Sequence, residues 1–466
     1  MPPRLSLRRL FLYVICCGSL VIVFTNVRQN WARWMDAAVD GPEAAADTAQ
    51  QVITTPAHAY APGQKHKLQQ QGKSEYTHTR TRNVEKEPET KEEVLEKLWF
   101  MVGGTLRPKP ANKSRLGQRT VKLFPSEDPY NDRITEQLMY IPTNYTEATP
   151  IKRILVFNGL ATWSPATAGQ TVFVNSKCPV NRCALTANRD EAKDADAILY
   201  KDQFLLPPVA RPANQIWILY FLECPYHTGH MKYQEVFNWT ATYRRDSDIV
   251  APYERWTYYN PRVRQIPQER NYAANKTRKV AWFVSNCGAR NERLAYAREL
   301  QKYIQVDIYG SCGPLKCSRS DTKHCFELLN QEYKFYLAFE NSNCKDYITE
   351  KFYVNGLGQN ILPIVMGAKP EDYERSAPYR SYIHVDEFES PRELAGYLHR
   401  LDKNDELYNS YFRWKGTGEF INTYFWCRLC AMLHDPITVP HYYEDVNEWW
   451  RGNGVCNSGS WRKKHQ

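Results

Sequence analysis

Two polar stretches stand where phosphate chemistry would be expected, each directly after a buried-strand pattern. One is Ser285-Asn-Cys-Gly-Ala-Arg-Asn-Glu-Arg293; the other is Phe339-Glu-Asn-Ser-Asn-Cys-Lys-Asp-Tyr-Ile-Thr-Glu-Lys351. In open α/β sheets, ligands lie beyond the carboxyl ends of the strands. Helix N-termini at that edge attract phosphate through free N–H groups and the helix dipole. Arg293 and Lys351 would each open a helix there and could together neutralise a diphosphate. The plainer alternative is that both are solvated charges at helix starts. Glu223, in Leu222-Glu-Cys-Pro225, follows a long apolar run. A partly buried glutamate of this kind can serve as a general base, or it can simply cap the turn before Pro225.

Other spacings imitate chemistry. Asp246-Ser-Asp248 has the form of a D-x-D that holds a metal–nucleotide pair. Two carboxylates so placed can ligate a hard cation, but Arg244 and Arg245 next door favour a structural role as turn caps or ion pairs. Trp426-Cys-Arg-Leu-Cys430 imitates a redox C-x-x-C, yet it lies far from any thioredoxin-like strand. Cys427 and Cys430 are expected in structural disulfides, with Cys178 and Cys183 as plausible distant partners. G-x-G-x-x-G, Walker A, H-E-x-x-H and G-x-S-x-G patterns are missing from the sequence, which removes support from ordinary NAD-dependent, kinase-like and hydrolase readings.

The elements that must position these residues read as alternating strands and helices. Short, nearly continuous apolar runs at Arg153-Ile-Leu-Val-Phe157, Thr171-Val-Phe-Val174, Ala197-Ile-Leu-Tyr200 and Gln215-Ile-Trp-Ile-Leu-Tyr-Phe-Leu222 are expected to be strands. Lys279-Val-Ala-Trp-Phe-Val284, Gln305-Val-Asp-Ile-Tyr309, Tyr333-Lys-Phe-Tyr-Leu-Ala-Phe339 and Ile361-Leu-Pro-Ile-Val-Met366 form a second set. A helix is expected along Leu294, Ala297, Leu300 and Ile304, and another from about 349 to 357. Runs of this kind belong to parallel strands buried on both faces. Their alternation with helices implies βαβ units. Two such blocks, separated near residues 261–275, suggest two α/β domains facing a cleft. One short amphipathic helix is expected at residues 92–101.

The chain has 466 residues, 42% hydrophobic and 24% charged, with 13 Cys and a net charge of +10. This suits a folded majority. The basic excess is dispersed, which argues against nucleic acid as a partner. Leu10 to Val27 carries no charge and is framed by arginines, the pattern of a signal anchor rather than a cleaved leader. Residues 36–93 are poor in large apolar residues and read as a flexible stem. Sequons at Asn112, Asn144, Asn238 and Asn275, with the cysteine count, place the remainder in a luminal or extracellular compartment.

Phe339-Glu-Asn-Ser, Asp346-Tyr-Ile-Thr-Glu-Lys351, Pro363-Ile-Val-Met-Gly367, and Phe237-Asn-Trp-Thr240 followed by Tyr243-Arg-Arg-Asp-Ser-Asp-Ile249 resemble the signature of the α1,3-fucosyltransferases, glycosyltransferase family ten. The likeness runs from about residue 153 to 430. With Val284-Ser-Asn-Cys-Gly-Ala-Arg-Asn and Cys312, Cys317, Cys325 and Cys344, the chain is most similar to the invertebrate and plant branch acting on the N-glycan core.

The resemblance implies a GT-B fold of two Rossmann-like domains and inverting transfer from GDP-β-L-fucose. It implies a cytosolic tail (1–9), signal anchor (10–27), stem (28–115), acceptor-binding domain (116–275), GDP-fucose-binding domain (276–430) and C-terminal extension (431–466), in a single-pass type II Golgi protein. By motif position it makes Glu223 the base, although Cys224 stands where the family pattern has Ser. Glu350 would favour oxocarbenium-like charge, and Lys351 and Arg293 would contact the diphosphate, with Arg290 the less favoured register. Asn341 and Tyr347 fall at donor-contact positions. No obligatory cofactor or metal is implied; a divalent cation would be at most a stimulant. The expected acceptor is the Asn-linked GlcNAc of N-glycans on glycoproteins. Outer-arm LacNAc or LacdiNAc, a non-catalytic glycan-binding relative and a luminal redox protein remain as alternatives.

Overall fold

The computed structural model describes residues 96–110, 121–436 and 441–462. The tail, the span Leu10 to Val27, residues 36–93 and Asn112 lie outside them. Among the described residues no helix is long and apolar enough to cross a membrane.

The apolar runs form two five-stranded sheets. In the first, β1 (Lys152–Val156), β2 (Cys183–Thr186), β3 (Ala197–Lys201), β4 (Ile216–Phe221) and β5 (Trp239–Thr242) lie in the order β2-β1-β3-β4-β5. The second sheet is separated from the first along the chain by β6 (Arg255–Tyr258). It contains β7 (Arg278–Phe283), β8 (Val306–Tyr309), β9 (Tyr333–Phe339), β11 (Leu362–Met366) and β12 (Ile383–His384), in the order β12-β11-β9-β7-β8. β10 (Asn343–Cys344) lies between β9 and β11 in sequence and outside that sheet. Every pairing within the two large sheets is parallel. All residues of β4 and of β9 are buried, the condition for a central parallel strand covered on both faces. Two antiparallel pairs complete the fold: β6 with β13 (Gly418–Ile421), and β10 with β14 (Cys456–Asn457).

Three expectations change. Thr171–Asn175 is a helix, not a strand. Only Phe173 in it is buried and Val174 is exposed, so the segment presents one apolar contact per turn rather than two covered faces. In the described part of 92–101, Leu98 bridges Leu106, and the successive residues Trp99, Phe100 and Met101 are all buried, which a helix exposed on one side cannot achieve. The helix Phe425–Leu433, placed by the sequence largely within 276–430, packs instead into the core of the first sheet through Trp426, Cys427, Leu429, Cys430 and Met432. Its Arg428 is fully buried and donates to Thr423 O at 2.6 Å and Gln137 Oε1 at 3.0 Å.

The segment after it visits both sheets. Helix Val446–Arg451 brings Trp450 against Phe221 and Tyr243, and β14 then pairs with β10.

Candidate active site

In the second sheet the chain runs from β7 to β8 on one side and to β9 on the other. This reversal opens a crevice between the loops leaving β7 and β9. Those loops are the two polar stretches. β4 of the first sheet delivers Leu222-Glu-Cys-Pro225 to the same place, and side-chain contacts cross between the sheets there. Asn341 Nδ2 donates to Glu223 Oε1 at 3.2 Å, Tyr347 Oη donates to Glu223 Oε1 at 2.7 Å, and Cys224 Sγ lies 3.1 Å from Ser342 Oγ.

Glu223 is therefore held by the opposite half of the molecule. Its Oε1 also accepts the Cys224 N–H at 2.8 Å and lies 3.6 Å from His227 Nδ1. All four partners converge on Oε1, which leaves Oε2 outside the network. Burial opposes ionisation, but the hydrogen bonds from His227, Cys224, Tyr347 and Asn341 outweigh it and lower the pKa to about 2. His227 moves the other way, raised to about 10 by its contacts with the Cys224 sulfur and Glu223.

On the side of the second sheet, Thr349 caps the short helix Glu350–Phe352, which continues as a π-turn over Tyr353–Leu357. Gly356 is needed in that turn because a Cβ would lie 2.9 Å from Pro363 Cβ. Lys351 Nζ is 2.9 Å from Glu350 Oε1, 3.0 Å from Thr349 Oγ1 and 3.3 Å from Glu340 Oε2. Burial would lower Lys351, but the Glu340 and Glu350 charges overcome it and hold the ammonium above its ordinary value. Glu350 is lowered because Lys351 outweighs burial. Glu340 is fully buried and raised by that burial, although Thr349 donates to it through both N–H and Oγ1. Gly367 makes room for it, since a Cβ there would sit 2.6 Å from Glu340 Cγ.

The arginines divide. Arg293 opens the helix Arg293–Leu300 but is only 4% exposed. Its guanidinium donates to Phe339 O at 2.7 Å and Asn286 O at 3.1 Å, bracing the ends of both loops. Arg290 is exposed, and its guanidinium lies 4.8 Å from the Tyr226 ring across the crevice.

Several other sequence candidates have structural partners. Asp246 pairs with Arg244 at 2.6 Å and Lys345 at 2.9 Å. Asp248 is fully buried and accepts from Thr240 N–H and Tyr443 Oη. Cys427 and Cys430 are bonded to Cys178 and Cys183, respectively, and not to each other. Further bridges join Cys287–Cys312, Cys317–Cys325 and Cys344–Cys456, leaving Cys224 unbridged among the described cysteines.

Asn144 and Asn275 are exposed, but Asn238 is a correction. It is 5% exposed, and its Nδ2, the atom that would carry a glycan, donates to His441 O at 2.8 Å while Oδ1 accepts the Trp217 N–H. A glycan on that nitrogen is incompatible with this packing.

Sequence reasoning did not single out Glu340, His227 or Tyr253. An acidic residue at the end of a seven-residue apolar strand could have flagged Glu340. Tyr253 offers no local signal. Its Oη donates to Leu222 O at 2.9 Å, and burial followed by the charges of Glu350, Glu223 and Glu340 pushes it well above the usual tyrosine range. The carboxylates of both halves thus converge on one phenol.

A family profile described as "Glycosyltransferase family 10 (fucosyltransferase) C-term" matches residues 273–449. A second, "Fucosyltransferase, N-terminal", matches residues 151–254. The chain belongs to the family 10 fucosyltransferases. It is 61% identical over 382 residues to glycoprotein 3-alpha-L-fucosyltransferase A of Drosophila melanogaster, covering 80% of this chain and 76% of that protein. It is 36% identical over 303 residues to alpha-(1,3)-fucosyltransferase C of the same fly, covering 59% of this chain and 70% of that one. A solved α1,3-fucosyltransferase with GDP-fucose aligns over 66% of this chain and 98% of its own, at 17% identity and a TM-score of 0.42.

Proposed function

We propose that this protein transfers L-fucose from GDP-β-L-fucose, with inversion, to the Asn-linked GlcNAc of N-glycans, forming an α1,3 linkage. The observation that supports this best is the carboxylate of Glu223, held through Oε1 by Asn341 and Tyr347 from the facing sheet while Oε2 stays free.

In this reading the acceptor hydroxyl oxygen bonds to the anomeric carbon as the bond from that carbon to the GDP oxygen breaks. The hydroxyl proton passes to Glu223 Oε2, and the electron pair leaves with GDP. Lys351 neutralises the diphosphate, as a fixed cation does most effectively in a water-poor site. Glu350, 2.9 Å from Lys351, stabilises positive charge on the departing fucosyl ring. Arg293 adds positive potential from beneath the strand ends, and Arg290 is the cation open to the crevice. Asn341 and Tyr347, expected at the donor, position the base through their hydrogen bonds to Oε1.

The first unit binds acceptor and the second binds donor, in a GT-B-type arrangement needing no obligatory metal. The core GlcNAc acceptor is supported by the 61% identity to a relative named for glycoprotein substrates. Leu10 to Val27 would anchor the chain as a type II protein of the Golgi membrane.

The test offers GDP-fucose with a core N-glycan glycopeptide and LacNAc side by side, with product linkage mapped by mass spectrometry. Fucose on the Asn-linked GlcNAc is expected, with substantial activity retained in EDTA. Fucose on LacNAc alone would reassign the acceptor, and failure to bind GDP would overturn the reading.

A further inference from the structure

Cys224 and His227, to which the transfer reaction gives no part, cluster beside Glu223. The 3-10 turn Pro225–His227 folds back so that the His227 N–H donates to Cys224 O at 3.0 Å. That turn brings His227 Nδ1 to 3.2 Å from Cys224 Sγ and 3.6 Å from Glu223 Oε1, with all three atoms within 4.8 Å of one another. Three donors of sulfur, nitrogen and oxygen type thus occupy one corner of the crevice.

We propose that Glu223, Cys224 and His227 form a site for a thiophilic divalent cation, zinc being the fitting ion, whose occupancy shuts off transfer. Zinc takes thiolate, imidazole and carboxylate ligands tetrahedrally, and its bond lengths set ligand–ligand separations of roughly 3.3–3.6 Å. The Sγ–Nδ1 and Nδ1–Oε1 separations lie within tenths of an ångström of these values, and Sγ and Oε1, within 4.8 Å of each other, would close onto them on binding. A hard cation would not favour the sulfur.

Cys224 is fully buried with Ser342 Oγ behind its sulfur, and His227 is exposed, so the site has a fixed floor and an open approach. The fourth position falls to solvent, and two protons, one from the thiol and one from the His227 ring, pass to water on binding. The other cysteine–histidine cluster, Cys183, Cys430 and His434, offers no thiolate because its two sulfurs are bonded to each other.

Occupancy would draw Glu223 Oε1 onto the metal and away from Tyr347 and Asn341. Inhibition therefore rests on the reading of Glu223 as base, whereas metal binding itself does not.

The test uses the full-length chain in detergent with Cys16→Ser and Cys17→Ser, so that Cys224 is the reporting thiol. Co2+ alone is titrated while the thiolate-to-cobalt charge-transfer band is followed, and Zn2+ is then added with transfer measured in parallel. One equivalent of band is expected; it is lost in Cys224→Ser, and cobalt binding is weakened about tenfold or more in His227→Gln. Zn2+ should displace cobalt and suppress transfer. Relative to its own uninhibited rate, Cys224→Ser should need at least about tenfold more Zn2+ for half-inhibition. Absence of the band, its persistence in Cys224→Ser, or equal zinc sensitivity in both proteins would overturn the proposal. A normal band in a protein that makes no fucosylated product would keep the metal site and sink the transferase reading.

Discussion

The two halves of the crevice are built on opposite plans. The second-sheet side is self-contained: Glu340, Thr349, Glu350 and Lys351 come from one loop and satisfy one another, and Arg293 braces the loop from below. The first-sheet side contributes a single carboxylate, Glu223, and half of what holds it comes from across the gap. A neutralised cluster can be preformed before any ligand arrives, whereas a residue held by the opposite unit depends on how the two units meet. Errors in packing between the sheets should therefore reach Glu223 before they reach the cluster around Lys351.

The sharpest way to break that contrast is Glu223→Gln, which keeps the shape and removes the basic oxygen. Transfer should fall by about 10² to 10⁴ while GDP affinity holds, a pattern read by pairing turnover with calorimetry. Normal turnover would remove Glu223 as base. Lys351→Ala should do the reverse, weakening GDP binding and destabilising the fold by about 3 kcal/mol, because fully buried Glu340 loses its ion-pair partner. Unchanged melting would show that the donor cluster is not mutually dependent.

Tyr347→Phe tests the crossing contact itself. One hydrogen bond to a charged acceptor is worth about 1.5 kcal/mol, so kcat should fall about tenfold at constant KM for GDP-fucose. A rise in that KM instead would return Tyr347 to the donor.

The smallest expected effect lies at the seam. Glu254 lines a cavity of about 160 Å3 between the units, with Asp132, Arg245, Arg255 and Asp346, and burial raises its pKa from 4.5 to about 7. The folded state binds that proton more tightly than the unfolded chain does. The stabilisation is present in full below about pH 4.5 and is lost as pH rises through about 7. Glu254→Gln should abolish this slope and, because the carboxyl is partly exposed, add about 1 kcal/mol at pH 8 in denaturant titrations. An unaltered pH dependence would discard the assignment.

The same contrast governs what could be read in advance. β3, β4, β7, β9 and β11 announced themselves as apolar runs because both faces of each are covered. The donor loop was readable because its residues are neighbours in sequence. β5, Trp239-Thr-Ala-Thr242, carries two buried threonines, so its polar residues concealed a strand. Thr171–Asn175 misled because β-branched residues suggested a strand at a position where only one side chain packs. Asn238 matched a sequon in three letters, but its burial depends on His441, some two hundred residues away. Tyr253 and the hold of Tyr347 on Glu223 were invisible for the same reason, since they exist only once two distant segments meet.

The return of Phe425–Leu433 to the first sheet has a consequence for the order in which the protein is made. Cys178 and Cys183 must wait for partners 249 and 247 residues further along. At 5–20 residues per second the ribosome needs roughly 10 to 50 s to supply that length. Once β5 has been made, the first sheet must wait for the helix that closes its core, with the two thiols still unpaired. The unit synthesised first is therefore among the last to be finished, and a stop codon that spares every residue of the crevice but removes the last forty or so would still leave the first unit incomplete.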